Sequence, residues 1–231
     1  MLTSFDTLDD FMKCEDVKIY YDILAKRKCS LILKRIFDVV VSAIMIVLLA
    51  PVLIVIAIAI KNDSEGPVFY RQVRVTKNNK DFRIFKFRTM VTNADKIGSL
   101  VTVGEDNRIT KIGKKIRKVR LDELPQLFNI FLGDMSFVGT RPEVRKYVDC
   151  YTDEMKATLL LPAGVTSLAS IKYKDEDDIL ARYIEKGADV DAAYVKYVVP
   201  EKMKYNLEAL KKFSFLGEIG LMFKTVFEVL K

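Results

Sequence analysis

The sequence predicts an α+β fold, mostly helical, in which a helical membrane anchor carries a small cytosolic domain with one β-hairpin. Three observations predict it. Residues 39–60 are almost wholly apolar, long enough for a hydrocarbon layer that needs about 20 residues. Residues 66–90 hold two β-branched and aromatic runs around a polar cluster. From residue 143 onward the chain is mostly helical by composition. The expected division is an N-terminal extension (1–33), an anchor (34–61) and a domain (62–231).

The 231 residues suffice for one large domain or two small ones, and half are hydrophobic. The formal net charge of +7 fits nucleic acid, an anionic membrane surface or phosphorylated substrates. Cys14, Cys29 and Cys150 form no CxxC pair, which argues against a zinc site and a disulfide framework and fits a reducing compartment. The chain has no histidine. That removes Ser–His and Cys–His nucleophile pairs and leaves acid–base or nucleophilic work to Asp, Glu, Lys, Tyr or Cys. Any metal would sit among oxygen ligands, which favours Mg²⁺ over Zn²⁺.

In chain order, residues 1–30 carry both charge signs and apolar residues at mixed spacing, so a surface helix or partly ordered arm is expected, and no signal peptide is apparent. Residues 39–60 follow Lys34, Arg35 and Asp38 and precede Lys61 and Asp63, with Pro51 near the centre. Proline removes a backbone donor and kinks or breaks a helix. Lys26, Arg27, Lys28, Lys34 and Arg35 lie before the segment, and Lys61, Arg71 and Arg74 soon after it. The positive-inside tendency wants both flanks cytoplasmic. A helix that enters, breaks at Ala50–Pro51 and returns satisfies both flanks; a Pro-kinked single span is the alternative, and the residues leave both open. A buried soluble helix is disfavoured because no face of the segment is polar.

Val68 to Val75 reads as one hairpin strand, Thr76 to Asp81 as the turn, and Phe82 to Arg88 as the return. Alternation puts Phe82, Ile84, Lys86 and Arg88 on one face. Residues 94–110 are polar and expected as loop with some helix, and Lys111 to Val119 as a short basic helix. From Arg71 to Arg120 the cations are opposed only by Asp81, Asp95, Glu105 and Asp106, so the net charge resides there. Such a patch can neutralise phosphates of lipid headgroups, of a nucleotide or of nucleic acid. Leu161 to Ser167 is expected as a loop between helices. At the end, Phe215, Leu216, Ile219, Met222, Phe223, Val226, Phe227 and Leu230 make an amphipathic helix, which either packs on the domain or lies in a membrane interface.

Asp122 and Glu123 stand between this cationic run and the apolar run Leu127 to Leu132. Adjacent carboxylates among so many cations suggest a site for a polyanion and a divalent metal. An acidic residue before a helix is also a common N-cap, and Pro125 at the first turn supports a helix start there. Arg141, biased toward an extended backbone by Pro142, suits bidentate phosphate recognition or is an ordinary turn arginine.

Taken together, these residues resemble the bacterial sugar transferase family, the monotopic polyprenyl-phosphate phosphoglycosyl transferases. The features that carry the resemblance are an apolar segment interrupted by Pro51, Gly66-Pro67-Val68-Phe69, Phe85-Lys86-Phe87-Arg88-Thr89-Met90, Leu121-Asp122-Glu123-Leu124-Pro125-Gln126, Gly133-Asp134-Met135-Ser136-Phe137-Val138-Gly139 and Arg141-Pro142. It covers Leu33 to the C-terminus, and the ordered set is specific where each motif alone is weak. The resemblance implies a re-entrant membrane enzyme on the cytoplasmic face of the bacterial inner membrane. It implies transfer of a sugar 1-phosphate from a UDP-sugar to undecaprenyl phosphate with release of UMP, the first membrane step of exopolysaccharide or lipopolysaccharide assembly. By match, Asp122 is the nucleophile, forming a phosphosugar-aspartyl intermediate and contacting Mg²⁺. Glu123 supports the metal or deprotonates the lipid phosphate. Arg117 and Arg141 clamp phosphate, and Lys86 and Arg88 lie in the hairpin motif beside the site.

Three positions depart from the family pattern: Thr140 where proline is common, Ala163-Gly164-Val165-Thr166-Ser167 for a Pro-Gly-Ile-Thr-Gly loop, and Ser170 for a glutamine. The loop bears on the nucleotide or the sugar, so the identity of the donor stays open. With no large preceding membrane domain, the minimal family form is expected. The competing readings are a non-catalytic polybasic adaptor for anionic membrane lipids, and a tethered nucleic-acid binder, for which no recognised module is present. No nucleic-acid partner is expected, and a homodimer is left open.

Overall fold

The computed structural model describes residues 2–94, 106–173, 176–185 and 187–230. Most of the polar stretch expected as loop, residues 95–105, lies outside them. In chain order the elements are helices α1 (Glu15–Ala25) and α2 (Lys28–Asp63), strands β1 (Phe69–Tyr70), β2 (Val73–Thr76), β3 (Lys80–Arg83) and β4 (Lys86–Phe87), helices α3 (Lys111–Lys118) and α4 (Gln126–Leu132), and strand β5 (Met135–Val138). Helix α5 (Arg145–Val148), strand β6 (Ala163–Thr166) and helices α6 (Leu168–Lys172), α7 (Glu176–Glu185), α8 (Val190–Ala193), α9 (Val199–Lys211) and α10 (Phe215–Leu230) follow. The class is α+β and mostly helical, as expected.

The N-terminal residues are not a surface arm. Leu8, Met12, Val17, Tyr20 and Leu24 lie inside the largest apolar cluster, with Tyr147, Leu160, Met203 and Leu207. Val17, Tyr20 and Leu24 recur at helical spacing, so one stripe of α1 meets α9 and the 3-10 stretch Met155–Leu160. The Tyr20 hydroxyl donates to Glu154 at 2.5 Å.

Helix α2 is 36 residues long and runs through Pro51; the helix is not interrupted at Ala50–Pro51, where a break was expected. It is the one helix among the described residues long and apolar enough to cross a membrane. One side of it packs on the domain. Met45, Ile46 and Leu49 meet Leu127 and Ile130, while Leu53, Ile56, Ala57 and Ile60 meet Phe87 and Ile116. The other side is open, with Val47 73% and Leu48 71% exposed. Polar contacts hold both its ends to the same domain. Near the start, Lys34 Nζ donates to Val138 O at 2.7 Å, the Phe137 amide donates to Asp38 at 3.2 Å, and Arg35 donates to the carbonyls of Ile130 and Phe131 at 2.8 and 2.9 Å. At the far end Asp63 accepts from the Ile112 amide at 3.0 Å.

The hairpin has one register throughout. Phe69 faces Phe87 and Val73 faces Arg83, and Ile84 N donates to Gln72 O across the gap between the two paired regions. Asn78 and Asn79, both with left-handed backbone (φ 58° and 57°), make the turn. Residues 161–167, expected as a loop, contain β6, which pairs in parallel with β5. Helix α10 packs on the domain along one side and leaves apolar residues open on the other. Glu218 reaches Lys34 of α2 at 2.6 Å and Thr225 Oγ1 meets Thr166 Oγ1 at 2.8 Å, while Leu216, Phe223 and Phe227 stay exposed.

Candidate active site

Helix α3 ends at Lys118, and Arg120 takes a left-handed conformation (φ 54°) that turns the chain. Leu121–Glu123 then forms a 3-10 turn that leads through Pro125 into α4. The carboxylates therefore lie in the turn before the helix. Neither makes the side-chain cap anticipated for a helix N-terminus, because Pro125 occupies the cap position of α4. Leu121 and Leu124 pin the turn against Ile56, Ile60, Phe87 and Ile116, so the dyad is fastened to the apolar helix α2.

Two cations converge on one oxygen of Glu123. Lys86 Nζ lies 3.0 Å and Arg141 2.6 Å from Oε1, and the Glu123 side chain is 12% exposed. Burial by itself raises the Glu123 carboxyl, but Arg141 and Lys86 outweigh it and hold the group well below the ordinary glutamate range. Half-buried Asp122 has no ion pair among the described residues. Burial raises its carboxyl, the neighbouring Glu123 charge adds to that, and Lys86 and Arg117 oppose it without prevailing. The same burial lowers Lys86, with Glu123 working against the shift. Adjacent carboxyls are thus driven in opposite directions by their surroundings, a pattern typical of groups with different chemical tasks.

Of the residues singled out by sequence, Asp122, Glu123, Lys86 and Arg141 come together, and Arg117 stands close enough for its charge to act on Asp122. Arg88 is placed elsewhere. It is buried, and its guanidinium donates to the carbonyls of Ser64 (2.7 Å) and Glu65, closing the chain after α2. Arg141 is delivered by the segment after β5. Gly139 N donates to Thr166 O at 2.9 Å and Gly164 N to Thr140 O at 2.8 Å. These backbones are so close that a Cβ on Gly164 would lie 2.1 Å from Gly139 N, which explains why glycine stands there.

Asn129 was not singled out by sequence. Fully buried, it accepts from the Phe85 amide at 2.8 Å and donates to Arg83 O at 3.1 Å, bridging the hairpin where strand pairing lapses just before Lys86. Its signal was an amide amid the apolar run Leu127 to Leu132. Lys34 and Asp38 were read only as flanking charge, although their four-residue spacing places both on one helix face.

Chemically, the arrangement offers one carboxyl, that of Asp122, with no ion pair among the described residues, beside fixed cations that suit phosphate oxygens. Among the described residues no group of three or more Cys, Asp or Glu side chains makes a self-sufficient metal cage.

The family model described as bacterial sugar transferase matches residues 29–231. A UDP-N-acetylgalactosamine-undecaprenyl-phosphate N-acetylgalactosaminephosphotransferase of Aeromonas hydrophila is 35% identical over 201 residues, covering 86% of this chain and 44% of the relative. A UDP-glucose:undecaprenyl-phosphate glucose-1-phosphate transferase of Klebsiella pneumoniae is 38% identical over 173 residues, 72% of this chain and 37% of the relative. An uncharacterized sugar transferase of Bacillus subtilis is 38% identical over 166 residues, 71% of this chain and 78% of the relative. The chain spans less than half the length of the first two. The family match from Cys29 to the end, over the segment that carries the whole dyad site, makes this chain a member of the bacterial sugar transferase family.

Proposed function

We propose that this protein transfers a sugar 1-phosphate from a UDP-sugar to undecaprenyl phosphate and releases UMP. The observation that carries the reading is the division within the dyad: Glu123 is paired with Lys86 and Arg141, while Asp122 has no ion pair among the described residues. The names of relatives supply the substrate class, a UDP-linked sugar donor and an undecaprenyl phosphate acceptor.

Asp122 attacks the phosphorus nearest the sugar. The bond from that phosphorus to the oxygen bridging the two phosphates breaks, and UMP leaves with the bonding pair. The sugar phosphate stays on Asp122 as an acyl phosphate. An oxygen of the lipid phosphate then attacks the same phosphorus, and the Asp122 carboxylate is released. One nucleophile thereby serves a water-soluble donor and a lipid acceptor in turn. Lys86, Arg117 and Arg141 offset the repulsion between an anionic nucleophile and a charged phosphate. Glu123, held well below its ordinary range, is a weak base, so its role in this reading is to hold Lys86 and Arg141 in place. Magnesium fits the donor set, since one carboxylate and the donor's own phosphates are the ligands this hard ion takes. Asp122 would hold it, and when bound the ion neutralises charge on the departing phosphate.

The anchor in this reading keeps both of its ends on the cytoplasmic face, seated in that leaflet as one continuous helix rather than as a broken pair. Support comes from the polar contacts of Lys34, Asp38 and Asp63, which tie both ends of α2 to one charged domain that cannot lie on two sides of a bilayer. Exposed Lys111, Lys114, Lys115 and Lys118 of α3, beside the far end of the anchor, face anionic headgroups.

The test is nucleotide release in nanodiscs containing undecaprenyl phosphate, Mg²⁺ and a panel of UDP-sugars. UMP that depends on the lipid and on one sugar is the expected product. UDP as the product would overturn phosphoglycosyl transfer.

A further inference from the structure

We propose that Glu143 is a positioning residue for Arg141, held from the C-terminal helices by Tyr194 and Lys202. The proposal rests on the reaction assigned above, in which Arg141 meets phosphate.

The main chain around Arg141 is fastened on both sides. Thr140 O accepts from Gly164 N at 2.8 Å, Pro142 O accepts from Arg74 at 3.2 Å, and Glu143 O accepts from Val75 N at 2.9 Å. The Glu143 side chain is 5% exposed, and its Oε1 accepts from the Tyr194 hydroxyl at 2.7 Å and from Lys202 Nζ at 3.2 Å. Lys202 Nζ also donates to the Tyr194 hydroxyl at 2.8 Å and to Glu176 at 3.3 Å, and the Arg74 guanidinium stands 3.9 Å from Glu143 Oε2. These partners come from β2, from α7, from α9 and from the π-turn Tyr194–Val198 before α9. Such a turn displaces side chains from helical register and is frequent at functional sites. Burying this many charges is a poor route to stability, since apolar residues of similar volume would do as well. What a fully bonded network supplies is a single geometry. Here that geometry fixes the chain two residues from a guanidinium that is 35% exposed and 2.6 Å from the catalytic dyad. Burial pushes the Glu143 carboxyl up, but Lys202 and Arg74 outweigh it and keep the group ionised.

A double-mutant cycle separates positioning from general structural support. Lipid-dependent UMP release and the Kd for UDP are measured in nanodiscs for the native protein, Glu143→Gln, Arg141→Ala and the double variant. The expected result is about a tenfold loss on Glu143→Gln in the native background and under about twofold once Arg141 is gone, the coupling of residues that act as a unit. Equal fold-losses in both backgrounds would overturn the proposal. Because Glu143→Gln leaves Lys202 with only one of its two carboxylates, that of Glu176, Glu143→Gln/Lys202→Met is made as well. It is expected to melt like the native protein and yet stay slow; recovery of native turnover would mean that the charge of Glu143 is dispensable. A native protein that binds UDP without turnover would sink the assigned reaction, while the cycle in Kd would still decide the role of Glu143. No UDP binding at all would sink both.

Discussion

Lys86 and Arg141 meet at one oxygen of Glu123, and Asp122 beside it has burial without an ion pair among the described residues. The pH dependence of stability should therefore have opposite sign for the two residues. The folded value of Asp122 lies above the unfolded one, so its contribution is complete below the unfolded value and is lost as pH rises through the folded value. Asp122→Asn should abolish transfer and yet melt higher than the native protein at pH 7, with the gain shrinking toward pH 4. Glu123 has a depressed folded value, so its contribution is present at neutral pH and lost as pH falls. Glu123→Gln should cost about 3 kcal/mol at pH 7, because it strands two cations. Melting both variants in chelator across that range checks both signs. The absence of histidine made the dyad legible. Its division of labour was not, because Arg141 lies 18 residues away in sequence. Arg88 shares a strand face with Lys86, but lies about 7 Å further along the strand, enough to meet a different partner.

At the scale of elements, the hairpin was legible because alternation and a polar turn are local signals. Its partners were not. Asn129 crosses from α4 to the gap at Arg83–Phe85, a contact 44 residues apart in sequence, and sets where Lys86 begins. Asn129→Ala should cost about 2 kcal/mol by leaving buried backbone groups unpaired, and should raise KM for the donor by releasing Lys86; denaturant melts and steady-state kinetics check the two parts. The pairing of β5 with β6 was missed for a similar reason. Ala163-Gly164-Val165-Thr166 has little strand character of its own, and a parallel partner is never adjacent in sequence. The buried stripe of α1 was present in the spacing of Val17, Tyr20 and Leu24, but mixed charges around it masked the pattern.

Across the whole molecule, the open side of α2 and the exposed Leu216, Phe223 and Phe227 of α10 belong to two helices joined by the Lys34–Glu218 pair. The proposal that both ends of α2 stay on one side of the membrane makes a prediction about access. In a Cys14→Ser/Cys150→Ser background, Cys29 (exposed just before the apolar run) and a cysteine placed by Lys61→Cys should be protected together from an impermeant maleimide in spheroplasts and labelled together in inverted vesicles. Labelling on opposite sides would establish a span. The apolar run and basic stretch were readable at this scale because each is contiguous. The main core was not, since it is assembled from residues 8–31 and residues 144–213, with Val75 between them.

That division has a consequence in time. Residues such as Leu24 and Leu210 share one cluster but leave the ribosome on the order of ten to forty seconds apart, at roughly 5–20 residues per second. Helix α2 emerges within that interval, while the core it will be tethered to is still half made. In the proposed reading the nascent anchor reaches lipid before the domain closes, and a ribosome stalled before residue 199 should yield a chain that is already membrane-bound and still sensitive to protease.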